Sequence, residues 1–230
     1  MNTLLGRAAA RLFPDTPGHH GVLPPLLVLL TFVTGLVDAV SYLGLDRVFV
    51  ANMTGNVVFL GFALAGDKEL SAVASLLAAT AFAAGALAGG RIAPRVTEPV
   101  RLFALLVAAH GVLVAAALVA DLADVTKHVL IVLLALGMGA QNAVVGKLAV
   151  PDFTTTVLTR TLTGLAADRP GPATVRRLFS LAAMFTGALA GGLLQLHYGT
   201  AAALAPALLL LTVVALAAAT TPRPGQGVPS

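Results

Sequence analysis

Residues 177–223 read RLFSLAAMFTGALAGGLLQLHYGTAAALAPALLLLTVVALAAATTPR, and between the two bounding arginines no Asp, Glu, Lys or Arg occurs for 45 residues. About 20 apolar residues suffice for a helix to cross the hydrocarbon core of a bilayer. The run therefore holds two crossings back to back, divided at Gln195, His197, Tyr198 and Gly199 by a tight surface turn. Working backwards, four more windows of span length lie at roughly 23–44, 70–90, 102–120 and 129–149. With 178–196 and 200–220 they make six expected spans of an all-α, polytopic transmembrane bundle.

The composition agrees with a chain that lives in lipid. Hydrophobic residues make up 58% and charged residues 10% of the 230, with a mean hydropathy of +0.94, whereas a soluble domain carries roughly 25% charged residues. Gly and Ala are abundant, as close helix packing in lipid requires. Cysteine is absent, which excludes disulfides and thiolate metal sites. The net charge of +4 and pI near 10.1 reflect basic loops on one side of a membrane rather than a nucleic-acid partner. No metal or cofactor is expected.

Two segments are ambiguous. Residues 48–66 are apolar enough to cross but carry Asn52, Thr54, Asn56 and two glycines, and residues 153–167 carry Thr154, Thr155, Thr156, Thr159, Thr161 and Thr163. Basic residues arbitrate. If both segments dip in and return, Arg7, Arg11, Arg91, Arg95, Arg101, Lys147, Arg160, Arg169, Arg176, Arg177 and Arg223 share one side, and only Arg47, Lys68 and Lys127 lie on the other. If both cross, Arg47, Arg91, Arg95, Arg101 and Lys147 fall outside. The positive-inside rule favours six spans with both termini cytoplasmic. Pro14, Asp15 and Pro17 separate the first basic residues from the first apolar run, which favours a retained anchor over a cleaved signal. The expected organisation is a cytoplasmic tail at 1–22, half-repeats at 23–120 and 121–220, and a disordered tail at 221–230.

An internal duplication is expected from Gly-Ala-Leu-Ala-Gly-Gly, which occurs at 85–90 and again at 187–192. Each copy follows a helix and a polar, Thr-bearing segment and precedes a further span. Three crossings per half would make the copies inverted in the membrane, four would make them parallel, and inverted repeats with interrupted helices are a recurrent transporter plan. Gly85, Gly89, Gly187 and Gly191 form GxxxG pairs whose expected role is helix packing. Such faces also support a homodimer.

Polar residues at membrane depth mark the candidate site. An ionised Asp at mid-helix costs about 2.5–3.5 kcal/mol on insertion scales, and Asp38 stands well inside the first window with Thr31, Thr34 and Ser41 on the same helical face. That face should point into the bundle or a wet cavity. There Asp38 either takes a proton or cation or caps backbone. Asn52, Thr54 and Asn56 can satisfy backbone freed at a helix break, and such unwound backbone is tolerated only inside protein or beside a cavity. The second half offers Gln141, Asn142, Thr155 and Thr159. Arg160 either pairs with Asp38 or, the preferred reading, snorkels to the surface.

The Asp38 segment Thr-Gly-Leu-Val-Asp-Ala-Val-Ser-Tyr-Leu, Met-Thr-Gly-Asn at 53–56, and the later Gly-Met-Gly-Ala-Gln-Asn-Ala with Thr-Thr-x-x-Thr resemble the YoaK-like family of bacterial membrane proteins over roughly residues 26–220. The resemblance implies a small polytopic protein of the bacterial inner membrane whose biochemical role is not established. That family usually shows Thr-Gly in the second motif, where this chain has Thr159-Arg160.

The function expected from these residues is a gradient-driven transporter or channel for a small solute or ion. Asp38, Asn52, Thr54, Asn56, Gln141, Asn142, Thr155 and Thr159 would offer the contacts. The alternatives are a non-catalytic assembly or regulatory subunit and, less favoured, a lipid-modifying enzyme. His19, His20, His110, His128 and His197 are too scattered to serve the last, so no enzyme is expected.

Overall fold

The computed structural model describes residues 2–13, 21–152, 155 and 158–221. Among them the regular structure is helical: α1 (Asn2–Leu12), α2 (Leu23–Gly44), α3 (Met53–Leu64), α4 (Ala72–Ile92), α5 (Pro99–Leu122), α6 (Lys127–Leu148), α7 (Thr159–Ala167), α8 (Pro172–Tyr198) and α9 (Thr200–Ala219), with one 3-10 turn at Ala93–Arg95. Six of these helices, α2, α4, α5, α6, α8 and α9, are long and apolar enough to cross a membrane. Prolines in the first turns of α2, α5 and α8 start helices where the missing N–H has no intrahelical partner to lose. Ser71 caps α4 by accepting from the Ala74 N–H at 3.1 Å.

The spans are apolar on both sides, as lipid demands. On α5, Phe103, Val107 and Val114 are fully buried, whereas Leu105, Val112 and Val119 repeat every seven residues at 50%, 68% and 64% exposure. A water-soluble helix would place charge on that outer stripe. Here it meets acyl chains.

Two helix pairs form the centre, α2 with α8 and α4 with α6. Both are close and both are built on glycine. Gly187 and Gly191 of α8 lie against the backbone of Phe32 and Leu36, and Gly35 of α2 lies against Met184 and Ala188. Gly85 and Gly89 of α4 lie against Leu136 and Ala140, and Gly139 of α6 against Phe82 and Ala86. Each pair advances in the same direction along the chain, so both pairs are parallel. A Cβ at any of these glycines would meet main chain, which cannot yield as a flexible side chain can. The remaining spans, α5 and α9, pack on each other and flank the centre.

α3 and α7 are short, 12 and 9 residues, or about 18 and 14 Å at 1.5 Å per residue. Neither reaches across a core of about 30 Å. Arg47, before α3, pairs with Glu69, beyond it, at 2.6 Å. The segment around α3 therefore enters and leaves at one end of the bundle. Asp46 meets Lys127 at 3.6 Å, which puts the start of α6 at that same end and makes α6 antiparallel to α2. At the opposite end Asp152, after α6, holds Arg176 at 2.7 Å and Arg177 at 3.0 Å, and Arg177 also reaches Asp168, beyond α7, at 2.6 Å. The α7 segment likewise returns to the end it entered from.

Residues 2–12, expected as part of a tail, form α1, which folds back on α2 and α8. Leu12 and Phe13 are buried, and the Arg176 guanidinium lies 4.5 Å over the Phe13 ring. The expectation of a disordered end at 221–230 falls outside the described residues apart from Thr221.

Candidate functional site

Asp38 sits six residues before the end of α2, and its carboxylate reaches sideways. Oδ1 accepts the backbone N–H of Val50 at 3.0 Å and of Ala51 at 2.8 Å. The chain that leaves α2 thus runs back beside its last turns and enters α3 from within the bundle. Asp46 and Arg47 turn it with left-handed backbone, φ 59° and 56°. Such conformations cost non-glycine residues energy and cluster at functional sites. The other polar residues of the Asp38 face turn inward onto their own helix. Thr31 donates to Leu27 O, Thr34 to Leu30 O and Ser41 to Asp38 O.

The contacts of Met53–Asn56 give that motif a physical role. Asn56 is buried, and its amide clasps one residue from both sides, accepting from the Phe49 N–H at 2.9 Å and donating to the Phe49 carbonyl at 2.6 Å. Gly55 leaves room for the Phe49 ring, since a Cβ there would come within 2.8 Å of it. The Asn52 carbonyl accepts from the Gly55 and Asn56 N–H groups and starts α3. The motif holds Phe49 in place.

Phe49 belongs to a three-ring patch. Its centroid lies 5.0 Å from Tyr42 and 5.7 Å from Phe59, and Tyr42 lies 6.0 Å from Phe59. The patch walls a cavity of about 730 Å³ that Asp38, Asn52, Thr54 and Thr159 also line. Gly35, Met184 and Ala188 close its α2–α8 side. The first turns of α3 and α7, from opposite halves of the chain, meet at this one cavity. Asp38 Oδ2 makes no hydrogen bond among the described residues.

The other sequence candidates lie elsewhere. Asn56 is not on the cavity, and beside its two bonds to Phe49 its Nδ2 donates to Met53 Sδ at 3.7 Å. Gln141 is buried and donates to Thr34 Oγ1 at 2.8 Å and Thr155 Oγ1 at 3.1 Å, joining α6, α2 and the α6–α7 segment. Among the described residues its Oε1 and both ring nitrogens of buried His110 lack hydrogen-bond partners. Asn142, one residue further, does have a partner. Thr154 and Thr156 lie outside the described residues. Arg160 is exposed and makes no ion pair with Asp38 among the described residues. The described residues also hold no group of three His, Cys, Asp or Glu able to bind a metal ion.

The aromatic patch is what sequence reasoning missed. Its signal was present in part, because Tyr42 stands four residues after Asp38 on the same helical face. The Asp152–Arg176–Arg177–Asp168 network was missed as well, since its arginines read as loop charge alone.

The family model described as "Protein of unknown function (DUF1275)" matches residues 26–217. The chain belongs to this family. It is also similar to the UPF0700 transmembrane protein YoaK of Bacillus subtilis (strain 168), 36% identical over 150 residues that cover 64% of this chain and 67% of the relative. No solved structure matches. The DUF1275 match takes in every residue that lines the cavity and begins after α1. The protein is a multi-pass membrane member of an uncharacterised family, in contact with the lipid bilayer.

Proposed function

We propose that this protein is a gradient-driven transporter or channel for a small solute, placed in the bacterial inner membrane with both termini cytoplasmic, and that it is not an enzyme. The observation that carries the reading is the meeting of α3 and α7 at one cavity beside Asp38. Two short segments that enter the membrane from opposite ends and converge on a polar group are the arrangement around which transporters alternate access. An internal, inverted duplication fits the same geometry. The glycine helix of each half, α4 or α8, packs on the first span of the other half, and α6 runs opposite to α2. One element exchanged between halves lets each half move against its partner.

Ion pairs close the two ends, Arg47–Glu69 and Asp46–Lys127 at one and Asp152–Arg176/Arg177–Asp168 at the other. In this reading one set loosens while the other holds. The test is solute counterflow in proteoliposomes with wild type and Asp38→Asn. A wild-type flux that D38N loses, with its melting behaviour retained, supports transport. Equal flux in both removes Asp38 from the mechanism.

A second reading, a non-catalytic assembly subunit, draws on a specific observation: Asp38 and Asn56 both hold backbone. In that case Asp38 serves the fold alone, and no solute crosses.

A further inference from the structure

We propose that the cavity recognises an ammonium-bearing organic cation, its charge seated between the Asp38 carboxylate and the Tyr42–Phe49–Phe59 patch. The inference rests on the reading of this cavity as a solute site and names the class of solute.

Among the described residues the cavity lining carries one formal charge, and that charge is negative. Asp38 commits Oδ1 to the backbone of Val50 and Ala51, which fixes the carboxylate and leaves Oδ2 without a partner among the described residues. A bare metal ion would call for several oxygen ligands around it. Here a single carboxylate stands beside three clustered rings, and the remaining wall is mostly apolar, with Val58, Leu158, Leu162, Met184 and Ala188. Phe49 is stacked on Tyr42 and on Phe59, at interplanar angles of 18° and 25°, so the quadrupole attraction of aromatic faces for an alkylated ammonium group falls to the faces that this stacking leaves uncovered. An alkylated ammonium presents a diffuse charge with an apolar skin, matching a site that offers little hydration. Rings, carboxylate and apolar wall then each contact a different part of one ligand.

The geometry also disfavours the two other solute classes. An anion would face the Asp38 carboxylate with no basic residue among the described lining to offset it. A neutral polyol would find partners in Asp38, Tyr42, Asn52, Thr54 and Thr159, but would lay the rest of its hydroxyls against two phenyl rings and an apolar wall and leave the carboxylate charge uncompensated. The Thr54 and Thr159 hydroxyls and the Asn52 amide suit a polar group at the far end of the cation. The α3 motif agrees with this role, because Asn56 and Gly55 both serve to fix Phe49.

The experiment is equilibrium binding of radiolabelled tetramethylammonium to the full-length, detergent-purified protein, with potassium chloride and sodium acetate as competitors. It uses the wild type, Asp38→Asn, Phe59→Leu and Tyr42→Leu. D38N keeps an acceptor for Val50 and Ala51, so its fold is retained, and the two ring variants leave the backbone clasp untouched. The expected result is saturable tetramethylammonium binding that equal potassium or acetate does not displace, lost in D38N and weakened about tenfold in F59L and Y42L. Absence of saturable binding, displacement by potassium at equal concentration, or unchanged affinity in both ring variants overturns the proposal. Failure here is separable from failure of the transport reading. Counterflow of a neutral or anionic solute by wild type, without tetramethylammonium binding, sinks the ammonium site and leaves transport standing. Tetramethylammonium binding with no flux of any solute does the reverse.

Discussion

The Asp38 carboxylate holds the backbone N–H of Ala51, thirteen residues downstream, at 2.8 Å. One side chain thereby ties the last turns of a membrane span to the segment that dips back beside it. The same residue lines the cavity, so the oxygen that holds backbone and the oxygen that the proposed site would use belong to one carboxylate.

This division predicts a difference between two substitutions. Asp38→Ala strands the Val50 and Ala51 donors within the bundle, at about 1–3 kcal/mol each. Asp38→Asn keeps an acceptor in place and costs far less. Thermal unfolding in detergent should therefore show a clear loss in D38A and near wild-type melting in D38N. Equal melting of both would mean that the two N–H groups find another partner.

Asn56 is predicted to matter for folding and not through contact with solute. Asn56→Leu removes both bonds to Phe49 from a buried site, a loss of about 2–4 kcal/mol. The yield of monodisperse protein on size-exclusion chromatography should fall. A variant that stays folded while losing only solute binding would place Asn56 at the cavity after all.

The two adjacent glycines of the first repeat motif should behave differently. Gly89→Val drives a side chain into the Ala140 backbone and should prevent α4 from seating on α6. Gly90 has open space where its Cβ would stand, so Gly90→Ala should be neutral or stabilising by up to about 1 kcal/mol. The comparison is made on recovered folded protein. Indistinguishable recovery of the two would contradict the close α4–α6 approach.

Asp152 carries two arginines at a site where it is 14% and Arg176 12% exposed. The site is half-buried, so removing the carboxylate leaves two guanidinium groups that water solvates only in part. Asp152→Ala should lower the melting temperature measurably. Arg176→Met added to it should cost less than the sum of the single changes, a coupling that a double-mutant cycle of melting free energies measures. Strict additivity would mean that the pair contributes nothing.

The spans are legible in the sequence because lipid imposes a simple rule, length and apolarity. The expected window 23–44 coincides with α2. The other five lie within a few residues of their helices except at the start of α8, where Pro172 begins the helix six residues early. That extra length carries Arg176 and Arg177, which hydropathy reads as loop. α1 is not legible, because a short amphipathic helix beside prolines has no such rule behind it. Within the site, Asp38 stands out because charge at that depth is costly, and Asn52, Thr54 and Thr159 stand out as polar groups in apolar surroundings. Tyr42, Phe49 and Phe59 do not, since aromatic residues are ordinary in a membrane helix until tertiary contacts bring them together. For the same reason Asn56 and Gln141 look like ligands. Their contacts place Asn56 on the Phe49 backbone and the Gln141 Nε2 group on two threonine hydroxyls, away from the cavity lining.

The central claim, that the cavity serves solute passage, can be tested without knowing the solute. The chain has no cysteine, so Thr54→Cys places a single thiol on the cavity lining. Sealed vesicles of known orientation would be exposed to a membrane-impermeant maleimide from each face in turn. The account predicts that the thiol of T54C is modified from both faces. Modification from one face only, or from neither, would contradict passage and leave a bundle whose polar groups serve its fold.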